Sequence, residues 1–140
     1  RWALPSSGPG VLEQIAAAEV VVVAPSSPIG SIGPLLAVPG LADALRARRD
    51  DTVAVSPIVA GAALKGPAAH LMRDLGHEAS VVGVASLYRD VAATLVVDKT
   101  DASLAGAVEA AGMACAVTDT VMADPTVAVA LAKATLEAAR

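Results

Sequence analysis

Two stretches of this chain hold hydroxyls, glycines and a lysine at spacings that suit a phosphate group. The first, APSSPIGSIGP (24–34), offers Ser26, Ser27 and Ser31 as hydroxyl donors. Gly30 and Gly33 in the same stretch leave room for backbone N–H groups to approach a ligand. A helix starting near Gly33 would aim its first N–H groups, those around Ser31, Ile32 and Gly33, at an anion. The second stretch, SPIVAGAALKGP (56–67), has Ser56 at one end and Lys65-Gly66-Pro67 at the other, a cation placed just ahead of a helix start. A Pro/Ser turn with ordinary caps and a solvated lysine would give the same letters, so type and spacing alone leave both readings open. Neither stretch is GxxxxGK[ST] or GxGxxG.

A third group is acidic: Asp98, Asp101, Asp119 and Asp124. Carboxylates can hold Mg²⁺ or act as a general base. Asp101 and Asp124 read as helix N-caps, which leaves Asp98 and Asp119 open. His70 and His77 flank one helix end on different faces and read as surface residues. No Ser/His/Asp order or nucleophile elbow is present. Cys115 is the single cysteine, so no internal disulfide and no Cys/His zinc cluster can form; in its apolar run it reads as a small core residue.

The elements that must position these residues follow from the apolar pattern. Residues 10–18 predict a short helix, and EVVVVAP (19–25) a strand buried on both faces. Residues 41–49 predict a helix, and TVAVSP (52–57) a second strand. After a loop, a helix is expected from Pro67 to Leu75, with Gly76 past its end. Ser80 caps another helix to about Tyr88. TLVVDKTD (94–101) is a strand, 102–111 a helix, and MACAVTDT (113–120) a strand. Asp124 caps a last helix that starts at Pro125, and residues 1–10 read as an entering loop. Such alternation predicts an α/β fold: a parallel, Rossmann-like sheet with helices on both faces, in one domain segment over 1–140. Ligands of such sheets sit beyond the carboxyl ends of the strands, where all three candidate groups fall.

Apolar residues are 55% of the chain and charged residues 17%. With Trp2 and Tyr88 as the only aromatics, the core must be Val, Ala, Leu and Ile. A net charge of −4 argues against a nucleic-acid surface. The basic cluster Arg46, Arg48 and Arg49 is followed at once by Asp50 and Asp51 and reads as a solvated helix end. Apolar runs stop short of the roughly 20 residues of a membrane helix, so no membrane partner is expected. A cytoplasmic location is the default expectation. The start at Arg1, without Met, suggests a piece of a longer protein.

Both loops, in order, make the chain similar to a known family. APSSPIGSIGPLLAVPG (24–40) and VAVSPIVAGAALKGPAAHLMRDLG (53–76) resemble the 2-phospho-L-lactate transferase family of coenzyme F-420 biosynthesis. GVASLY (83–88), VVD (96–98) and VTDTVM (117–122) resemble the rest of that family's C-terminal portion. The resemblance implies a cytoplasmic homodimeric enzyme that uses Mg²⁺. Its substrates would be the deazaflavin Fo and a guanosine-diphosphate-activated three-carbon acid. The phosphoacid part would pass to the Fo hydroxyl, with release of GMP. It implies nucleotide or phosphate contacts at Ser26, Ser27, Ser31, Ile32, Gly33, Ser56, Ile58, Gly61, Lys65 and Gly66. No catalytic residue and no metal ligand is assigned. The chain departs from the family in having Ser27 for Asn, Ala60 for Gly, and Ala69-His70 after Lys-Gly-Pro-Ala. The family's Gly-Gly-x-Gly-Gly and Asn-Thr-Gly-Asp-Asp segments have no match here, so the metal and Fo contacts are expected outside this chain. Two further expectations are a non-enzymatic regulator of similar fold that binds a nucleotide or UDP-sugar, and a purely structural dimerising segment.

Overall fold

The structure, a computed structural model, describes residues 6–63 and 66–139. In chain order it has α1 (Val11–Ala17), β1 (Val21–Val23), a wide helical turn (Pro28–Ile32) that runs into α2 (Gly33–Leu36), and α3 (Leu41–Ala47). A short 3₁₀ turn (Arg49–Asp51) leads to β2 (Thr52–Val55) and then the two-residue strands β3 (Ile58–Val59) and β4 (Ala62–Ala63). After these come α4 (Ala68–Asp74), α5 (Val81–Tyr88), β5 (Thr94–Asp98), a 3₁₀ segment (Lys99–Leu104), α6 (Ala105–Ala110), β6 (Ala114–Thr118) and α7 (Pro125–Ala138).

Four strands form one parallel sheet in the order β1-β2-β5-β6. The central strands are buried apart from half-buried Thr94, which is why they read as continuous rather than alternating apolar runs. Successive side chains point to opposite faces, and this separates two cores. Ala54, Leu95 and Val97 face a large core with Leu45 of α3, Met72 of α4, Val84 of α5 and Val108 of α6. Val53, Val55 and Val96 face a small core with Leu131 of α7.

The expected element order is present, with two additions inside the loops: the Pro28–Ile32 turn with α2, and the antiparallel β3–β4 hairpin. Strand ends are shorter than expected. β1 covers Val21–Val23 rather than 19–25, because only three residues find partners, Thr52 to Ala54. β5 stops at Asp98, because that residue turns the chain into the 3₁₀ segment by accepting from the Thr100 N–H. Capping behaves as expected at three places. The Ser80 hydroxyl accepts from the Gly83 N–H, and the Asp124 carboxylate accepts from the N–H groups of Thr126 and Val127. Gly76 has φ 77 just past α4, and the N–H groups of Gly76 and His77 return to the carbonyls of Arg73 and Met72.

Inside α5, GVASLY is a packing sequence. Tyr88 is buried in the large core with no partner for its hydroxyl among the described residues, and burial pushes the phenol well above its usual pKa. Gly83 lies so close to the Glu78 carbonyl that a Cβ there would overlap it. Gly83→Ala is therefore expected to lower stability by about 3 kcal/mol through overpacking. Ser86→Ala, one turn further along the exposed face, should change it by less than about 0.5 kcal/mol. Urea denaturation of both variants checks this.

Candidate functional site

The carboxyl ends of the sheet carry the residues singled out by chemistry. In the first loop the chain turns at Ser27. The Ser27 hydroxyl accepts from the Gly30 N–H at 2.9 Å, and its carbonyl accepts from the N–H groups of Ser31 and Ile32, each at 3.0 Å. The Gly33 N–H goes to the Pro28 carbonyl. The helical segment thus begins at Pro28, not near Gly33, and its wide first turn engages the donors of Ser31, Ile32 and Gly33 internally. This corrects the expectation that these three N–H groups face an anion. Gly33 has ordinary helical angles, φ −54 and ψ −50; what it provides is space, since a Cβ would sit 3.1 Å from the Pro28 oxygen. Ser31 is exposed and Ser26 half-buried, and neither hydroxyl has a partner among the described residues. They are the loop's free polar groups. The turn packs against α4, the helix that follows the second loop, so both loops meet on one side of the sheet end.

In the second loop Ser56 is 2% exposed. Its hydroxyl donates to the Ile58 carbonyl at 3.0 Å and accepts from the Ile58 N–H at 3.1 Å. It fixes the turn out of β2, and the hydroxyl expected to donate outward is engaged with Ile58. Ile58 lies in the core. The hairpin then reverses through Ala60 (φ 50) and Gly61 (φ 72), with Val59 paired to Ala62. Two consecutive left-handed residues are what a two-residue hairpin demands. Ala60 is the one described non-glycine residue with positive φ. Its N–H donates to Asp101 Oδ2 at 3.0 Å, and Arg73 donates to the Gly61 carbonyl. Asp101 is therefore no helix cap; the preceding segment is capped by Asp98, which frees Asp101 to tether the hairpin. Lys65 lies outside the described residues. Gly66 is exposed with φ 74.

Asp98 ends β5 as a buried carboxylate with four donors. Thr100 N–H and Oγ1 reach Oδ1 at 2.9 and 2.7 Å; Thr120 N–H and Oγ1 reach Oδ2 at 2.9 and 3.1 Å. Burial pushes its pKa up, but the hydrogen bonds from Thr100 and Thr120 outweigh burial and bring it to about 2. Asp119 instead forms an exposed pair with Lys99, at 2.7 Å, and Asp124 is occupied in capping α7. Among the described residues no group of three His, Cys, Asp or Glu side chains could hold a metal ion. With Asp98 saturated and Asp101 tethered, the carboxylates here do not fit Mg²⁺.

Two residues read as solvated turn out to be structural. Arg48 donates to the carbonyls of Ile15, Ala16 and Ala18 at the end of α1. Arg49 donates to the carbonyls of Arg89 and Gly112, past the ends of α5 and α6. Only Arg46 keeps to the surface, paired with Asp43. His70 is exposed, while His77 and Cys115 are half-buried.

The sequence pattern of the family described as 2-phospho-L-lactate transferase CofD matches residues 3–135. The chain belongs to that family. It is 40% identical over 109 residues to a 2-phospho-L-lactate transferase of Methanothermobacter thermautotrophicus, covering 78% of this chain and 35% of that protein. It is 43% identical over 117 residues to a phosphoenolpyruvate transferase of Kitasatospora aureofaciens, covering 83% and 36%. It is 51% identical over 83 residues to a 2-phospho-L-lactate transferase of Halobacterium salinarum, covering 59% and 24%. The chain thus spans about a third of the length of the first two. In this chain, VVD and VTDTVM are the two halves of the Asp98–Thr120 lock.

Three substitutions test the site's construction. Because the folded pKa of Asp98 lies below its unfolded value, its stabilisation is present above about pH 4 and is lost as pH falls toward 2. Asp98→Asn should lower stability at pH 7 by about 2 kcal/mol and flatten the fall between pH 4 and 2, read by denaturant midpoints across that range. Ala60→Gly should raise stability by about 0.5 kcal/mol, the relief of left-handed strain less the added freedom of the unfolded chain. Asp101→Ala should lower it by about 1–2 kcal/mol by leaving the Ala60 N–H without its acceptor. Both are checked by thermal unfolding.

Proposed function

We propose that this chain is the loop-bearing part of a coenzyme F-420 transferase. In that reaction the Fo hydroxyl oxygen attacks the phosphorus that carries the three-carbon acid, lactyl or enolpyruvyl. The bond from that phosphorus to the bridging oxygen breaks, GMP leaves with the bridging oxygen and its electron pair, and the Fo proton passes to solvent or a base. Membership of the transferase family supports this reading. The observation that carries it is structural: the family's two loops stand at the carboxyl ends of the adjacent parallel strands β1 and β2, where ligands of such sheets bind.

On this reading the hydroxyls of Ser26 and Ser31, free at the loop surface, donate to the guanosine diphosphate part, together with the cation of Lys65. Gly66 gives close backbone approach. Ser27, Ile32, Gly33, Ser56, Ile58 and Gly61 act by holding the loops in shape. In-line phosphoryl transfer asks the protein mainly for positioning and charge stabilisation. Mg²⁺ would supply charge neutralisation at the diphosphate, from ligands outside this chain, since the described carboxylates do not fit it.

The test supplies the full-length protein with Fo, the guanosine-diphosphate-activated acid and Mg²⁺, and follows GMP and the acid-bearing Fo by mass spectrometry. Both products are expected. A folded protein that binds GDP yet makes neither overturns the proposal, as does tighter binding of a UDP-sugar than of GDP. Ser31→Ala should raise the KM for the activated donor by roughly tenfold with the melting temperature unchanged, one hydrogen bond to a charged group being lost. Ser27→Ala should instead lower the melting temperature, because it removes a cap.

A further inference from the structure

The two loops leave neighbouring strands, β1 and β2, yet among the described residues no hydrogen bond joins one loop to the other. What they share is α4. Only Pro67 separates Gly66 from its first residue, so the helix continues the second loop. Ala68, Ala69 and Met72 bury their side chains in the large core, which fixes α4 against the sheet.

From that platform one side chain reaches each loop. Leu71, half-buried, meets the wide turn of the first loop at Gly30. A Cβ on Gly30 would stand 3.3 Å from Leu71 Cδ1 and 3.2 Å from Ser27 Oγ, so the glycine is what lets the turn seat on the leucine. Arg73 serves the second loop: its Nη2 donates to the Gly61 carbonyl at 2.9 Å. The hairpin over 58–63 has no polar side chain, so other elements steer it by polar bonds only through its main chain. It is held at two points, the Gly61 carbonyl by Arg73 and the Ala60 N–H by Asp101. Asp101 is buried at the sheet end, whereas Arg73 is exposed. Surface substitutions change stability little, so the Arg73 bond contributes direction more than stability.

We infer that Leu71 and Arg73 are positioning residues for a nucleoside diphosphate, acting through Gly30 and Gly61. With both in place, α4 sets the span between the loops, and the hydroxyls of Ser26 and Ser31 meet the same ligand as the backbone at Gly66. This rests on the nucleotide site proposed above. Contacts from two loops yield their full affinity only when the loops are already held at the right spacing, because ordering loose segments on binding costs part of it.

The experiment titrates the full-length protein with GDP by calorimetry and follows transfer to Fo separately. Arg73→Ala should raise the Kd for GDP by about tenfold with the melting temperature unchanged. Arg73→Lys, which keeps a donor, should recover most of that loss. Arg46→Ala, at a surface arginine paired with Asp43, should bind GDP as the wild type does. A cycle with Ser31→Ala separates positioning from direct contact. Two independent tenfold losses multiply to about a hundredfold, whereas a loop that has already drifted has no Ser31 bond left to lose, so the double variant should lose little more than about tenfold. Leu71→Ala should give the same pattern in that cycle. The inference is overturned by unchanged GDP affinity in Arg73→Ala, by no recovery with lysine, by the full hundredfold loss in the double variant, or by a wild type that does not bind GDP. The expected pattern in a protein that binds GDP but makes no acid-bearing Fo supports the positioning role and overturns the proposed transfer.

Discussion

A single buried carboxylate organises the carboxyl end of the sheet. Asp98 ends the central strand β5 and draws in four donors from Thr100 and Thr120. Taking a carboxylate from water is costly, and only full hydrogen bonding repays it. The bonds have two structural results. The Thr120 pair holds the segment after β6 beside β5. The Thr100 pair turns the chain so that Asp101, three residues on, reaches across to Ala60 in the second loop. A line of bonds therefore runs from the end of β6, through the end of β5, to the hairpin after β2. The first loop joins it by packing on α4.

That line clarifies what the motifs of this sequence do. VVD and VTDTVM hold Asp98 and Thr120 apart in sequence but together in space. In GVASLY, Gly83 makes room for the Glu78 carbonyl and Tyr88 fills the core. These segments are frame. The two loops after β1 and β2 face outward from it. They differ in what they leave available: the first keeps two hydroxyls unengaged, whereas the second turns its serine inward and presents a hairpin tip and a glycine.

Much of this was legible in the sequence. The apolar runs at 20–23, 53–55 and 95–97 announce parallel strands, and Ser80 and Asp124 announce helix starts, because those signals are local; burial on both faces, expected for the first run, holds for β2 but not for β1, where Val22 is 45% exposed. What failed to show were interactions whose partners lie far along the chain. Asp101 uses the same side chain for a tether across 41 residues that it would use for a local cap. Arg48 and Arg49 sit in a charged cluster that looks solvated, yet their acceptors are carbonyls, which have no letter of their own. The wide turn at Pro28–Ile32 adds one residue to a hydrogen-bonded ring, and composition does not record that. Ser56 was read as facing outward because its bond to Ile58 is set by the bend of the chain, not by residue type.

The paired arginines have a kinetic meaning as well. From one point before β2, Arg48 reaches back about 30 residues to α1, and Arg49 reaches forward 40 and 63 residues to the ends of α5 and α6. Closing such long stretches of chain loses conformational freedom before any bond rewards it. These bonds form once the strands have met, so they secure a finished assembly more than they start one. Interactions made after the folding barrier chiefly slow unfolding. The end of the sheet opposite the two loops thus acts as a latch on the lifetime of the fold.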